Sequence, residues 1–212
     1  MKYMADLDVE VSSPLALSIL TLLDERPMHP YEMASTMRDR HQDEFIRLNF
    51  GTLYHTVDVL ERNGWILSVE RAKEGRRPER TIYKISDSGR EVLKRALGEL
   101  LRKPKREYPN FVAGLLFMHH IGKVEAANHL KERAALLDSH IAKFEHVFDE
   151  LRNQGLTRLS LIEIEHKIAM LDAERKWVRK VEKEINDGKL EWKAGIEAGH
   201  QVLRRSHGPS TN

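Results

Sequence analysis

"NFGTLYHTVDVLERNGWI", residues 49–66, changes character twice within eighteen positions. Phe50, Leu53, Val57 and Leu60 recur at the spacing of one helical face, while Thr52, Tyr54, His55 and Thr56 fall on the outward side, where they can donate hydrogen bonds or stack. Asn49 is a good N-cap residue and Asn63-Gly64 suits left-handed dihedrals, so a helix is expected over 50–63. At Trp65 the period drops from 3.6 to 2, which predicts a strand.

Upstream, "SSPLALSILTLLDERP" supplies a serine cap, Pro14 at the first helical position and an apolar face at Leu15, Ile19, Leu22 and Leu23, so a first helix is expected over about 14–24. "PYEMASTMRDRH" predicts a short second helix with Tyr31, Ala34 and Met37 on one side and Arg38 and Arg40 on the other. Downstream, "WILSVE" places Trp65, Leu67 and Val69 on one strand face, and "TIYKI" places Thr81, Tyr83 and Ile85 on one face of a second. "RAKEGRRPER" joins them as a polar connection too long for a tight hairpin. Three helices followed by a two-stranded ribbon with a basic loop is the order of a winged helix-turn-helix. Ser86 and Asp87 then offer caps for a fourth helix, which stops before the basic, proline-containing "RKPKREYPN".

Beyond that segment the chain reads as almost wholly helical. A short helix, "FVAGLLFMHH", ends at Gly122; Ala127, Leu130, Ala134, Leu137, Ile141, Phe144, Phe148 and Leu151 then follow at spacings of 3 and 4 until Gly155. That is a heptad seam. A last helix over about 157–187 carries Leu161, Ile164, Ile168, Leu171, Val178 and Ile185 on one stripe, widened by Met170, Ala173, Trp177 and Val181. One partner helix cannot cover so wide a stripe, which predicts a homodimer through Leu137, Ile141, Phe144, Phe148, Leu151, Ile164, Ile168, Leu171, Trp177 and Val178. The expected fold class is therefore mainly α: an N-terminal winged helix (1–103), a linker (104–107), a coiled-coil-like helical dimerisation domain (108–188) and a frayed, partly disordered tail (189–212).

Composition excludes several functions. The 212 residues are 41% hydrophobic and 32% charged, which suits a soluble, helix-rich fold. Without cysteine there is no disulfide, thiolate metal site or cysteine nucleophile. No apolar run is long enough to cross a membrane, and "MKYMADLDVEVSS" carries acids where a signal peptide needs an apolar core, so a cytoplasmic location is expected. The eleven histidines include no HExxH and no helical i, i+4 pair at His119, His120, His140 or His146, so no metal site is expected. Nor is there a GxSxG or Gly-rich phosphate loop; no catalytic residue and no cofactor are expected.

Charge is segregated. Residues 1–70 hold 6 Lys/Arg against 12 Asp/Glu (net −6), and residues 71–106 hold 13 against 5 (net +8). A basic block in the wing predicts an anion-binding surface, with double-stranded DNA as the partner. Gly51 permits close backbone approach, Thr52 and Tyr54 can bond phosphate, His55 can reach a base edge or phosphate, and Asn49 caps the helix whose positive end faces the backbone. The helix has no Arg or Lys before Arg62, so Coulomb attraction falls to Arg71, Lys73, Arg76, Arg77 and Arg80 in the wing, with Arg38, Arg40 and Arg47 nearby in sequence.

"LALSILTLLDERPMHPYEM", "FGTLYHTVDVLERNGWI" and "EGRRPERTIYKISDSGREVL" together resemble the winged helix domain of PadR-type transcriptional regulators, over about 13–100. That family's pattern is a G-T-L-Y recognition helix, a basic wing and a Y-x-[LI]-[ST]-x-x-G closing segment. Two positions depart from it: Pro30 stands where a glycine is common, and His55 where a proline often follows the tyrosine. The resemblance implies a dimeric, sequence-specific DNA-binding regulator, usually a repressor, and a symmetric dimer in turn predicts a palindromic operator. A small aromatic effector is a further candidate partner, with Trp177 the flat surface on which it would stack. A helical adaptor that does not bind DNA is the alternative; it explains the heptads but not the wing.

Overall fold

The computed structural model describes residues 13–72 and 80–192, without the side chains of 70–72 and 80. The chain divides into two compact units, residues 1–107 and 108–212.

In the first unit, helix α1 (Pro14–Glu25) starts where Ser13 Oγ accepts a hydrogen bond from Ala16 N at 3.1 Å, with Pro14 at a position that needs no donor. It buries Leu15 through Leu20, then Leu22 and Leu23. A helix buried on nearly all sides sits at the centre of its unit, and its one buried polar side chain, Ser18, donates to Gln42 Oε1 at 2.5 Å. Helix α2 (Pro30–Asp39) opens with Pro30 as its first residue, capped by His29 Nδ1, which accepts from Tyr31 N. A proline here is as suitable as the commoner glycine, because first-turn donors are free anyway.

Helix α3 (Phe50–Arg62) is capped by Asn49, whose Oδ1 accepts from Thr52 N at 2.8 Å. It buries Leu53, Val57, Val59 and Leu60, and the chain turns at Gly64, φ 70°. Strands β1 (Ile66–Ala72) and β2 (Arg80–Ile85) pair antiparallel, Ile66 opposite Ile85 and Ser68 opposite Tyr83, with a bulge between Ser68 and Glu70. Met28 adds a one-residue bridge, exchanging both backbone hydrogen bonds with Tyr83 at 3.0 Å.

The expected inner face of β1 is corrected. Ile66, fully buried, faces the core, whereas Leu67 and Val69 are exposed and the buried Trp65 precedes the strand. Trp65 belongs to the turn that closes α3, and the bulge at Val69 upsets simple alternation. On β2 the expected face holds: Tyr83 and Ile85 are buried.

Helix α4 (Asp87–Arg102) is riveted to the end of α3. Ser86 Oγ accepts from Gly89 N and donates to the Gly64 carbonyl at 2.7 Å, and Ser86 N donates to the Trp65 carbonyl at 2.9 Å. A Cβ on Gly89 would stand 2.1 Å from that Trp65 oxygen. The closing motif thus has a mechanical meaning: Tyr83 holds Met28, Ile85 fills the core, Ser86 caps the helix, and Gly89 lets it dock.

The second unit comprises α5 (Asn110–Phe117), α6 (Lys123–Asn153) and α7 (Ile162–Asn186), with a turn at Gly155. Helices α6 and α7 form a hairpin. Ala127, Leu130, Ala134 and Leu137 pack with Val178, Val181 and Ile185 in one cluster, and Phe144 packs with Leu161 and Ile164 in another. Arg175 at 2.9 Å and Arg179 at 2.5 Å hold Asp138, and Arg133 holds Glu174. Leu190 and Trp192 pack on the first cluster, and Trp192 Nε1 donates to the Ile121 carbonyl at 3.2 Å. The rest of the tail lies outside the described residues.

Candidate nucleic-acid interface

Helix α3 presents two different ends. Its first turn contains no acid, and Asn49, Phe50, Gly51, Thr52, Tyr54 and His55 are all exposed there. Its last two turns carry Asp58, Glu61 and Arg62. Burial, and then the negative charges of Glu61 and Asp58, push the Tyr83 hydroxyl pKa up, so the acids mark a negative patch at the far end of α3. The unpaired amides and the positive end of the dipole lie at the opposite end, the helix N-terminus, so the two ends of α3 favour charges of opposite sign.

Each predicted residue at this end finds a defined place. Asn49 is occupied as the cap. Thr56 Oγ1 is turned back to the Thr52 carbonyl at 2.7 Å, which leaves the Thr52 hydroxyl, Tyr54 and His55 as the outward polar groups. Gly51 is informative in another way. A Cβ there would meet, among the described residues, only Asn49 Oδ1, at an ordinary 3.7 Å, so none of the described neighbours requires a glycine in this helical turn.

In the wing, the backbones of Arg71 and Arg80 pair across β1 and β2, opposite Thr81 and Ala72. Lys73, Arg76 and Arg77 lie outside the described residues.

Sequence reasoning missed Phe50. The spacing assigns it to the inward face, yet it is 41% exposed and its ring lies against α2. The Tyr31 ring centroid is 6.0 Å away, 13° from parallel, and the Arg38 guanidinium carbon is 5.2 Å from the Phe50 centroid. The available signal was its position: a first-turn side chain leans toward the helix N-terminus, beyond the core that later turns reach.

In the second unit, the ten residues expected at a dimer interface do not behave alike. Leu137, Ile141, Phe144 and Val178 are buried, and Phe148, Leu151, Ile164, Ile168 and Leu171 belong to the cluster formed within one chain. Packing within the hairpin buries Leu137, Ile141, Phe144, Ile164 and Val178 and covers Phe148, Leu151, Ile168 and Leu171 only in part. Trp177 differs, 45% exposed and edge-on to Phe111 with centroids 6.2 Å apart. Among the described residues no group of three or more His, Asp or Glu is placed to hold a metal, and no helix is long and apolar enough to cross a membrane.

Three core helices, a paired ribbon and a polar, capped helix start define a winged helix protein. Residues 19–95 match the model of the transcriptional regulator PadR-like family, within the stretch where the sequence motifs carry the resemblance. The "Probable transcriptional regulator Rv1176c" of Mycobacterium tuberculosis is 36% identical over 84 residues, which span 40% of this chain and 43% of that protein. The chain thus spans under half the length of this curated relative. Bacillus subtilis PadR, solved in complex with operator DNA, shares the fold at a TM-score of 0.67 and 15% identity, covering 80% of this chain and 97% of that one. The same protein in complex with p-coumaric acid matches at 0.67 and 14%, with the same coverage. The Vibrio cholerae virulence activator AphA matches at 0.61 and 18%, covering 82% of this chain and 98% of that one.

Proposed function

We propose that this protein is a sequence-specific DNA-binding transcriptional regulator that works as a homodimer on a palindromic operator, and acts as a cytoplasmic repressor. Residues 1–103 bind DNA and 108–188 dimerise. The observation that carries the reading is Gly51. Glycine in a helix costs about 1 kcal/mol relative to alanine, and here no neighbour among the described residues makes it necessary. An exposed position that keeps a destabilising residue implies an outside partner that comes close to the backbone, and the acid-free helix start selects an anionic one. Bacillus subtilis PadR, of the same fold, is known with operator DNA, which supports the assignment.

The dimer is supported by what the hairpin leaves bare. Ile162 (51% exposed), Met170 (56%) and Trp177 (45%), with the exposed Ala173, recur at helical spacing along α7 outside the hairpin core. A second copy of the chain would cover this stripe. An aromatic effector would stack at Trp177 beside Phe111 and release the DNA, in line with the p-coumaric acid complex of Bacillus subtilis PadR.

The test is a duplex-binding titration over a salt series with fragments selected from a random pool, comparing wild type with Gly51→Ala. The substitution is expected to stabilise the fold by ~0.5–1 kcal/mol while weakening binding at least tenfold. Unchanged affinity in Gly51→Ala, or wild-type binding without salt dependence, refutes the reading.

A further inference from the structure

We infer that Phe50, held by Tyr31 and Arg38, is a specificity-determining residue that reads the 5-methyl group of a pyrimidine in the major groove. The inference rests on the DNA-binding reading above and names a contact that reading does not require.

Three aromatic rings are exposed along one face of the α2–α3 pair. Tyr31 is 64% exposed, Phe50 41% and Tyr54 44%, with Phe50 and Tyr54 one helical turn apart. Phenylalanine has no polar tip to present to water, and its place is the first residue of the helix whose acid-free end faces the partner. The ring is not loose. Tyr31 and Arg38 are seven residues apart on α2, two turns along the same exposed face rather than on opposite sides as expected from the sequence, and both contact it: one by stacking, the other through its cation. Among the described residues no carboxylate pairs with Arg38, so its charge is available to a flanking phosphate while its guanidinium stays by the ring. The ring is oriented before any partner arrives.

The chemistry of the groove then selects the contact. In an intact duplex the faces of the bases are hidden by stacking, and only their edges line the major groove. Those edges carry hydrogen-bond donors and acceptors, for which a phenyl ring has no use, and one apolar group, the thymine C5-methyl. 5-Methylcytosine presents the same methyl at the same ring position. A fixed aromatic surface at the tip of a recognition helix therefore discriminates methylated from unmethylated pyrimidine edges, through burial of one methyl.

The experiment uses the full-length chain and a 30-base-pair duplex that the wild type enriches from a random pool. Each thymine is replaced singly by deoxyuridine in one arm, and each cytosine by 5-methylcytosine in the other. Wild type is expected to lose about fourfold in affinity at a particular thymine, the worth of one buried methyl. A gain on cytosine methylation at that same step in a thymine-to-cytosine variant shows that either source of the methyl serves. Phe50→Ala should bind more weakly and lose sensitivity to deoxyuridine with its salt slope unchanged. Tyr31→Ala, which keeps the ring but removes its support, should lose part of the discrimination, and Tyr31→Phe should retain it. Duplex binding by wild type that is insensitive to deoxyuridine at every position, or Phe50→Ala as sensitive as wild type, overturns this inference alone. Failure of wild type to bind any duplex overturns it together with the function it rests on.

Discussion

Two glycines of the same helix should respond to alanine in opposite directions. At Gly98 in α4 an added Cβ meets nothing within 4 Å, so Gly98→Ala gains the ordinary helix preference, ~0.5–1 kcal/mol. At Gly89 the Cβ would stand 2.1 Å from the Trp65 oxygen and 2.9 Å from Ile85 Cγ1. The oxygen cannot withdraw freely, because it accepts the Ser86 N–H at 2.9 Å, and Ser86 is itself the cap of α4. Overpacking costs about 1–3 kcal/mol, and loss of the backbone hydrogen bond adds about 1. Set against the same propensity gain, a net loss of about 2 kcal/mol is expected. In a background with Trp177 and Trp192 replaced by phenylalanine, Trp65 fluorescence reports on this unit alone. With a urea dependence of ~1.5 kcal/mol per M, the Gly89→Ala midpoint should fall by more than 1 M and that of Gly98→Ala should rise. A Gly89→Ala protein as stable as wild type would show that the α3–α4 corner can open without cost, and the reasoning about the closing motif would be wrong.

Replacing both Arg76 and Arg77 by alanine should weaken binding to all sequences and lower the slope of log affinity against log salt by about 0.9 for each phosphate no longer neutralised; a titration at three salt concentrations suffices. Met170→Glu should shift the protein toward monomer in sedimentation with its helical circular dichroism intact, whereas Val178→Asp, which puts a carboxylate at a fully buried site, should unfold the hairpin at a cost of ~3 kcal/mol or more. Glu25 accepts two hydrogen bonds from Arg40, at 2.6 and 2.8 Å, and this holds its carboxyl below the ordinary 4.5. A carboxylate depressed in the folded state stabilises above its unfolded pKa and ceases to as pH falls through the folded value. Because both side chains are nearly half exposed, the pair should contribute only ~0.5 kcal/mol at pH 7, and urea midpoints of wild type and Arg40→Ala should converge in acid.

Legibility followed the range of the forces involved. Ser13, Asn49 and Ser86 cap their helices through bonds spanning three residues, so the local sequence reveals them. The Gly64 turn and the strand pair are equally local. What escapes the sequence depends on neighbours distant along the chain. Alternation misassigns the inner face of β1 because Trp65 packs as part of the α3 turn and the Val69 bulge breaks the pattern. Phe50 reads as a core residue because periodicity describes a face, not how far along the helix the core extends. The stripes of α6 and α7 are legible as stripes, but their spacing is the same whether the covering helix comes from the same chain or another. What the coordinates add is which side chains the hairpin leaves exposed, Ile162, Met170 and Trp177 among them. The wing's positive charge is countable without any coordinates.

On the proposed function, the uneven charge along α3 would also limit how much sequence information one subunit collects. If α3 reads DNA as proposed, Asp58 and Glu61 would keep the distal half of the helix away from phosphates, and it would enter a groove tip first rather than lying along it. A helix that reads with its first turn alone samples few base edges, and many sites in a genome would satisfy it equally. Discrimination then has to come from coincidence: two short half-sites at a fixed separation, each weakly selective, whose improbabilities multiply. On that account the spacing between half-sites should tolerate less change than any single base within them.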